Sequence, residues 1–173
     1  LSEQSGFDAY VTRRSPWLMR TAYLLTGQLA SAEDLVQTTL AKAWSVWSRI
    51  EDDPDPYVRT VMVNTHRRWW RRLWRGELPT GEFPDRAGHG DAMTAVDERD
   101  VLWQALRRLP RGQRTVLVLR YFEDLTEAET ARVMGCSVGT VKKQASKALS
   151  RLRGDASVMG TAPVKPSVTA TRS

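Results

Sequence analysis

Residues 125–153, LTEAETARVMGCSVGTVKKQASKALSRLR, constrain this chain more than any other stretch. Two helical periodicities are separated by Gly135, which reads as a helix-turn-helix. The first helix is expected over 126–134. Thr126 would cap it, and Glu127 and Glu129 in the first turn complement the helix dipole. Gly135 supplies the positive φ of the turn, which only glycine adopts at little cost. Ser137 then caps a second helix. Its apolar positions Val138, Val141, Ala145, Ala148, Leu149 and Leu152 fall three or four apart and define one inward face. Opposite lie Thr140, Lys143, Gln144, Ser146 and Lys147, flanked by Lys142 and Arg151, and no acid occurs from Val138 to Arg153. Amide, hydroxyl and ammonium groups on one face suit a DNA major groove, since lysine reaches phosphate and guanine while glutamine pairs with adenine. A solvated basic face on an ordinary helix pair is the plainer alternative. Agreement of turn chemistry, face polarity and charge favours DNA.

The net charge of +6 over 173 residues points to a polyanionic partner, and its distribution says more than its size. Residues 1–56 are net acidic, with Glu3, Asp8, Glu33, Asp34, Glu51, Asp52, Asp53 and Asp55 outnumbering Arg13, Arg14, Arg20, Lys42 and Arg49. From Tyr57 to Arg75 there are six arginines and no acid. The lone Cys136 forms no internal disulfide and fits a reducing cytoplasm, with a packing role in the turn. One cysteine and two distant histidines, His66 and His89, make no metal site, and no cofactor is expected. No apolar run reaches membrane-spanning length, the first residues lack a signal-peptide pattern, and an initiating residue is expected before Leu1.

Apolar alternation of strand type is absent, so the fold class is all-α, without a sheet. A first helix over 7–25 turns Tyr10, Val11, Leu18, Ala22 and Leu25 inward, with a break or restart at Pro16 and an end at Gly27. A second starts at Ser31 as N-cap, with Glu33 and Asp34 in its first turn. It buries Ala32, Val36, Thr39, Leu40, Ala43 and Trp47, and leaves Asp34, Gln37, Thr38 and Ala41 outward. A third, over 57–75, has a core stripe of Val58, Val61, Met62, Thr65, Trp69 and Leu73. Thr60, Asn64, Arg67 and Arg71 face the other way, and Val63, Trp70 and Trp74 are hard to bury in the same core. Glycines and prolines without helical period mark 76–96 as a flexible linker, which puts a domain boundary there. Helices resume over 97–109 and 111–121. The order is therefore a helical domain over 1–75, the linker, a helix-turn-helix domain over 97–153, and a disordered tail over 154–173 rich in Ser, Thr, Ala and Pro.

The run RRWWRRLWR, from Arg67 to Arg75, is the second functional constellation. Arginines neutralise phosphates, aromatic faces stack on unpaired bases, and an exposed Asn64 can hydrogen-bond a base edge. Trp69 falls on the core stripe. Trp70 and Trp74 either stack on nucleic acid or pack on a neighbouring helix.

The segments AEDLVQTTLAKAW, YVRTVMVNTHRRWWRR and LPRGQRTVLVLRYFEDLTEAETARVMGCSVGTVKKQASKALSRLR, in this order, resemble bacterial RNA polymerase sigma factors of the extracytoplasmic-function group. They are similar to the actinobacterial sigma factor E branch, and the resemblance covers 7–153. It implies a region 2 domain that docks on core RNA polymerase and melts the −10 element, and a region 4 domain that reads the −35 element and meets the β flap. Asp34, Leu35, Gln37, Thr38 and Ala41 would dock on the β′ clamp helices, whereas Val36 reads as core. An acid is more usual in the family where Thr38 stands. Asn64 would contact a flipped-out base, with Thr60, Arg67, Arg68, Trp70, Arg71, Arg72 and Trp74 around the −10 DNA. Thr140, Lys142, Lys143, Gln144, Ser146 and Lys147 would face the −35 DNA, and many relatives carry arginine in place of Gln144. The resemblance also implies promoter DNA as a ligand, allows an anti-sigma factor as partner, and suggests a stress or cell-envelope regulon.

Two other classes fit less well. A stand-alone repressor needs a dimerisation surface for paired half-sites, and no heptad follows Arg153. An enzyme needs a phosphate loop or a paired nucleophile, and neither is present.

Overall fold

The computed structural model describes residues 3–50, 53–74 and 98–154. The regular elements among them are all helical: α1 (Glu3–Thr26), α2 (Leu29–Trp44), a 3-10 turn (Trp47–Arg49), α3 (Pro54–Trp74), α4 (Glu98–Arg107), α5 (Arg111–Leu117), which continues as a π segment (Val118–Phe122), α6 (Glu127–Met134) and α7 (Val138–Gly154). The expected linker over 76–96 and the tail beyond Gly154 lie outside the described residues.

Helix α1 runs unbroken through Pro16, where a break or restart was expected. A proline removes one N–H donor from the ladder, and two hydroxyls in the turns before it bond back to carbonyls four residues earlier. Ser15 Oγ donates to the Val11 carbonyl at 2.6 Å and Thr12 Oγ1 to that of Asp8 at 2.9 Å. Burial of Tyr10 before the proline and of Leu18, Ala22 and Leu25 after it keeps both parts in line.

Helix α2 begins at Leu29, with extended Gln28 as its N-cap, three residues before the expected Ser31 cap. Gly27 reverses the chain at φ +81°, and the helix starts two residues later, which buries Ala32 and Leu35. Glu33 and Asp34 therefore sit past the first turn. Trp47, expected within α2, lies in the 3-10 turn and packs against the rings of Phe7 and Tyr10. The Tyr10 hydroxyl donates to Asp55 at the start of α3 at 3.1 Å, and Arg14 Nε donates to the same carboxylate at 2.9 Å. Burial first, and the Asp55 charge second, raise the Tyr10 pKa and keep the phenol protonated.

Helix α3 is buried on two sides. Val58, Met62 and Thr65 are buried as the stripe predicts, and α3 packs on α2. Val63, judged hard to bury, is also fully buried, because α3 packs on α6 as well. His66 is buried with it, and its Nε2 finds no hydrogen-bond partner among the described residues.

Residues Val116, Leu117, Val118 and Leu119 are all buried. A helix that is apolar all round needs neighbours all round. Here α7 covers α5, while α1 and α6 cover the π segment. The expected continuous helix to Tyr121 becomes a π turn, in which the Glu123 amide donates to the Val118 carbonyl at 3.0 Å. Asp124 follows in the left-handed region at φ +52°. Helix α6 starts in the expected capping box: Thr126 Oγ1 accepts from the Glu129 amide, and the Glu129 carboxylate accepts from the Thr126 amide. Gly135 is left-handed at φ +63°, and Ser137 Oγ then accepts the Thr140 amide at 3.1 Å.

The N- and C-terminal units meet along a seam. Helix α1 has no basic residue in its last turn, and Arg114 of α5 donates to the Leu25 carbonyl there at 3.3 Å. In return, Arg67 of α3 donates to the Met134 carbonyl at the end of α6. Trp103 of α4 packs its ring 4.9 Å from that of Tyr23.

Two outcomes follow from this packing. Gly135→Ala places a Cβ in a left-handed turn and lowers unfolding free energy by about 1 kcal/mol. Urea titration checks it, and an unchanged midpoint contradicts the turn geometry. His66 is pushed down to about 3, by burial first and then by Arg111 and Arg114. The unfolded chain therefore binds a proton below about pH 6.5 that the folded chain refuses, so stability falls as pH drops. The loss is roughly 2 kcal/mol by about pH 5. His66→Leu flattens that part of the urea-midpoint profile; identical slopes in both proteins would remove His66 as the cause.

Candidate nucleic-acid interface

The capped turn through Gly135 and Ser137 fixes how α7 leaves α6, and so which of its faces is covered. Val141 and Ala148 are buried, with Ala145, Leu149 and Leu152 half-buried beside them, as the periodicity requires. Val138, expected inward, is exposed because it opens the helix before the packed face begins. Thr140, Lys142, Lys143, Ser146 and Lys147 are exposed together. Lys142 Nζ lies 3.7 Å from Glu127 across the turn, a weak surface pair. Gln144 is half-buried, and its amide nitrogen lies beside Gly112 of α5. It sits at the edge of the basic face, not at its centre.

The second cationic surface runs along α3. Asn64, Arg68, Arg71 and Arg72 are exposed on successive turns. The field they create reaches α2. Lys42 donates to Thr65 Oγ1 at 2.9 Å, and its pKa is lowered by desolvation first and by Arg68 and Arg72 next. Three residues predicted for this surface are engaged internally. The Thr60 hydroxyl donates to the Pro56 carbonyl of its own helix at 2.9 Å. Arg67 holds the end of α6, and Trp70 lies under the Arg111 guanidinium as a cation–π pair. The side chain of Trp74 lies outside the described residues. A cavity of about 200 Å³ between α3 and α5 is lined by His66, Arg67, Trp70, Arg71 and Arg111, so this part of α3 forms the seam wall.

The outward face of α2 carries Asp34, Gln37 and Ala41, all exposed, with Thr38 half-buried beside them. Leu35, assigned to that face, is instead fully buried, and so supports the face from behind.

One buried polar cluster carries no signal in the sequence. Glu123, at the end of the π segment, receives Trp17 and Thr21 of α1 and Arg59 of α3. These residues are separated by more than sixty positions along the chain, and no local pattern joins them.

Comparison with known proteins bears on both units. Residues 10–76 match the family model for sigma-70 region 2, and residues 99–152 that for sigma-70 region 4. The chain is 39% identical over 155 residues to the RNA polymerase sigma-E factor of Streptomyces coelicolor, covering 88% of this chain and 87% of that protein. It is 30% identical over 143 residues to the ECF RNA polymerase sigma factor SigL of Mycobacterium tuberculosis, covering 79% of this chain and 80% of the other. Among solved structures it is similar to the sigma factor RpoE of Bartonella quintana in complex with the anti-sigma factor NepR, with TM-score 0.70 and 26% identity over 91% of this chain and 99% of that one. A region 2 bundle followed by a region 4 helix-turn-helix, with relatives aligned along nearly their whole length, places the chain in the sigma-70 family of RNA polymerase sigma factors, within the extracytoplasmic-function group and similar to actinobacterial sigma-E.

Proposed function

We propose that this sigma factor docks on core RNA polymerase through the outward face of α2, reads the −35 element with α7 and captures a −10 base with α3. The exposed, acid-free face of α7 behind a rigidly capped turn carries this reading. Such a face offers lysines to phosphate and hydroxyls to base edges, and nothing on its own helix neutralises it. Asn64 accepts or donates to the extruded base, and Arg68, Arg71 and Arg72 hold phosphates beside it. Asp34, Gln37, Thr38 and Ala41 supply the clamp-helix contact, with the β flap as the site for the region 4 unit. No helix among the described residues is long and apolar enough to cross a membrane. A cytoplasmic site of action follows from the proposed work on core polymerase. The likeness to sigma-E factors supports a stress or cell-envelope regulon, and that to an anti-sigma-bound sigma factor supports control by an anti-sigma partner.

Neither unit alone selects a promoter. Tethering both to the polymerase raises their effective concentration, so the spacing between the DNA elements becomes part of specificity. Copurification with core polymerase followed by run-off transcription tests this reading. Asn64→Ala is expected to abolish promoter-specific transcripts at least tenfold while leaving copurification intact; full transcription by that variant removes Asn64 from the −10 role. Lys147→Ala in the holoenzyme is expected to weaken binding evenly across promoters and reduce the log–log salt slope by about 1. A promoter-dependent loss would instead make Lys147 a base reader.

A further inference from the structure

We propose that Glu123 is an intramolecular latch that holds the region 2 and region 4 units together in the free chain, and that it must release before both promoter elements can be read. The second half of this statement rests on the promoter-reading role proposed above; the first rests on geometry alone.

The Glu123 carboxylate is almost fully buried, its side chain 2% exposed against 14% for Arg59. Both of its oxygens are occupied by donors from the other unit. Trp17 Nε1 lies 2.9 Å from Oε1 and 3.0 Å from Oε2, Thr21 Oγ1 donates to Oε1 at 2.5 Å, and Arg59 Nε donates to Oε2 at 2.9 Å. The Arg59 guanidinium also lies 5.6 Å from the centre of the Trp17 ring. The local backbone aims the carboxylate. The π turn ends at Glu123, and Asp124 at positive φ swings the chain toward α6, so Glu123 projects back onto α1 and α3. A buried charge persists only when its lone pairs are satisfied, and here the satisfaction comes wholly from across the seam. Its negative charge also offsets a seam that otherwise gathers Arg59, Arg67, Arg111 and Arg114.

Closure has a consequence for DNA. It engages Arg67 and covers Trp70, two residues of the −10 surface. Elements centred 10 and 35 base pairs upstream lie on the order of 85 Å apart along B-form DNA. The chain between Trp74 and Glu98 spans roughly 80 Å at full extension, so the units can reach both elements only when parted.

The test measures the separation of the units in the full free chain. In a Cys136→Ser background, labels at Ser48→Cys and Ser150→Cys, both exposed positions, report it by single-molecule energy transfer. The otherwise unaltered labelled chain is expected to show one short-distance population. Glu123→Ala is expected to raise the long-distance fraction about tenfold, in line with losing a charged hydrogen-bond cluster. Thr21→Val with Arg59→Met should do the same from the other side, and it decides the matter if circular dichroism finds Glu123→Ala unfolded. Unchanged distances in the folded variants overturn the latch. Run-off transcription separates the two readings: opening without any polymerase-dependent transcript, in variant and parent alike, keeps the latch and removes the initiation role. Transcripts with unchanged distances keep initiation and remove the latch.

Discussion

Helix α3 carries more surface to be buried than one neighbour can cover, and the rest of the structure follows from that excess. Val58, Met62 and Thr65 find α2, yet Val63 and His66 point elsewhere and are just as deeply buried. A single valine removed from water contributes about 1.5–3 kcal/mol, and a buried neutral imidazole requires dry surroundings. Both needs are met at the side where α6 packs. The region 4 unit has a matching excess in the run Val116–Leu119, part of which α1 covers. Each unit therefore completes the other's core, and the seam is a shared apolar layer edged by polar contacts.

Those polar contacts follow one rule, that helix ends and buried charges are served from across the seam. The last turn of α1 lacks a cation and receives Arg114, the last turn of α6 receives Arg67, and Glu123 receives Arg59, Trp17 and Thr21. Carbonyls at a helix C-terminus carry partial negative charge and go unpaired within the helix, so a guanidinium is a natural partner. Exchanging such partners makes closure cooperative, because parting the units strands acceptors on both sides at once.

The local grammar of the chain was legible and the seam was not. The capping box at Thr126, the left-handed Gly135 and the hydroxyl cap at Ser137 need only residues within four positions of one another, and sequence spacing reports such relations directly. Misreadings occurred where distant packing overrode local preference. Ser31 is a better N-cap than Gln28, but the reversal at Gly27 fixes the start of α2. Pro16 is a helix breaker, but burial on both sides of it keeps α1 unbroken. Leu35 sits in a segment that reads as a docking face, yet helical phase turns it into the core. Glu123 belongs to no local pattern, and only tertiary structure joins it to Trp17, over one hundred residues away.

In the role proposed above, Arg67 and Trp70 of α3 have two incompatible sets of partners, and the strengths of those partners order the states. In the closed chain Arg67 donates to a neutral carbonyl and Trp70 is covered by a cation. Guanidinium bonds to a charged phosphate are about twice as strong as those to a neutral acceptor, and a desolvated base stacks on indole as well as arginine does. In the proposed role, promoter DNA therefore outcompetes each seam contact one at a time. It does not replace what Glu123 receives, since phosphate is itself an acceptor and brings no donor to a buried carboxylate. Under that proposal, anions and nonspecific duplex can weaken single seam contacts without parting the units. In the proposed latch, the closed state yields when a partner bound to both units, with the geometry of the polymerase, offsets the loss of the Glu123 cluster in the same step.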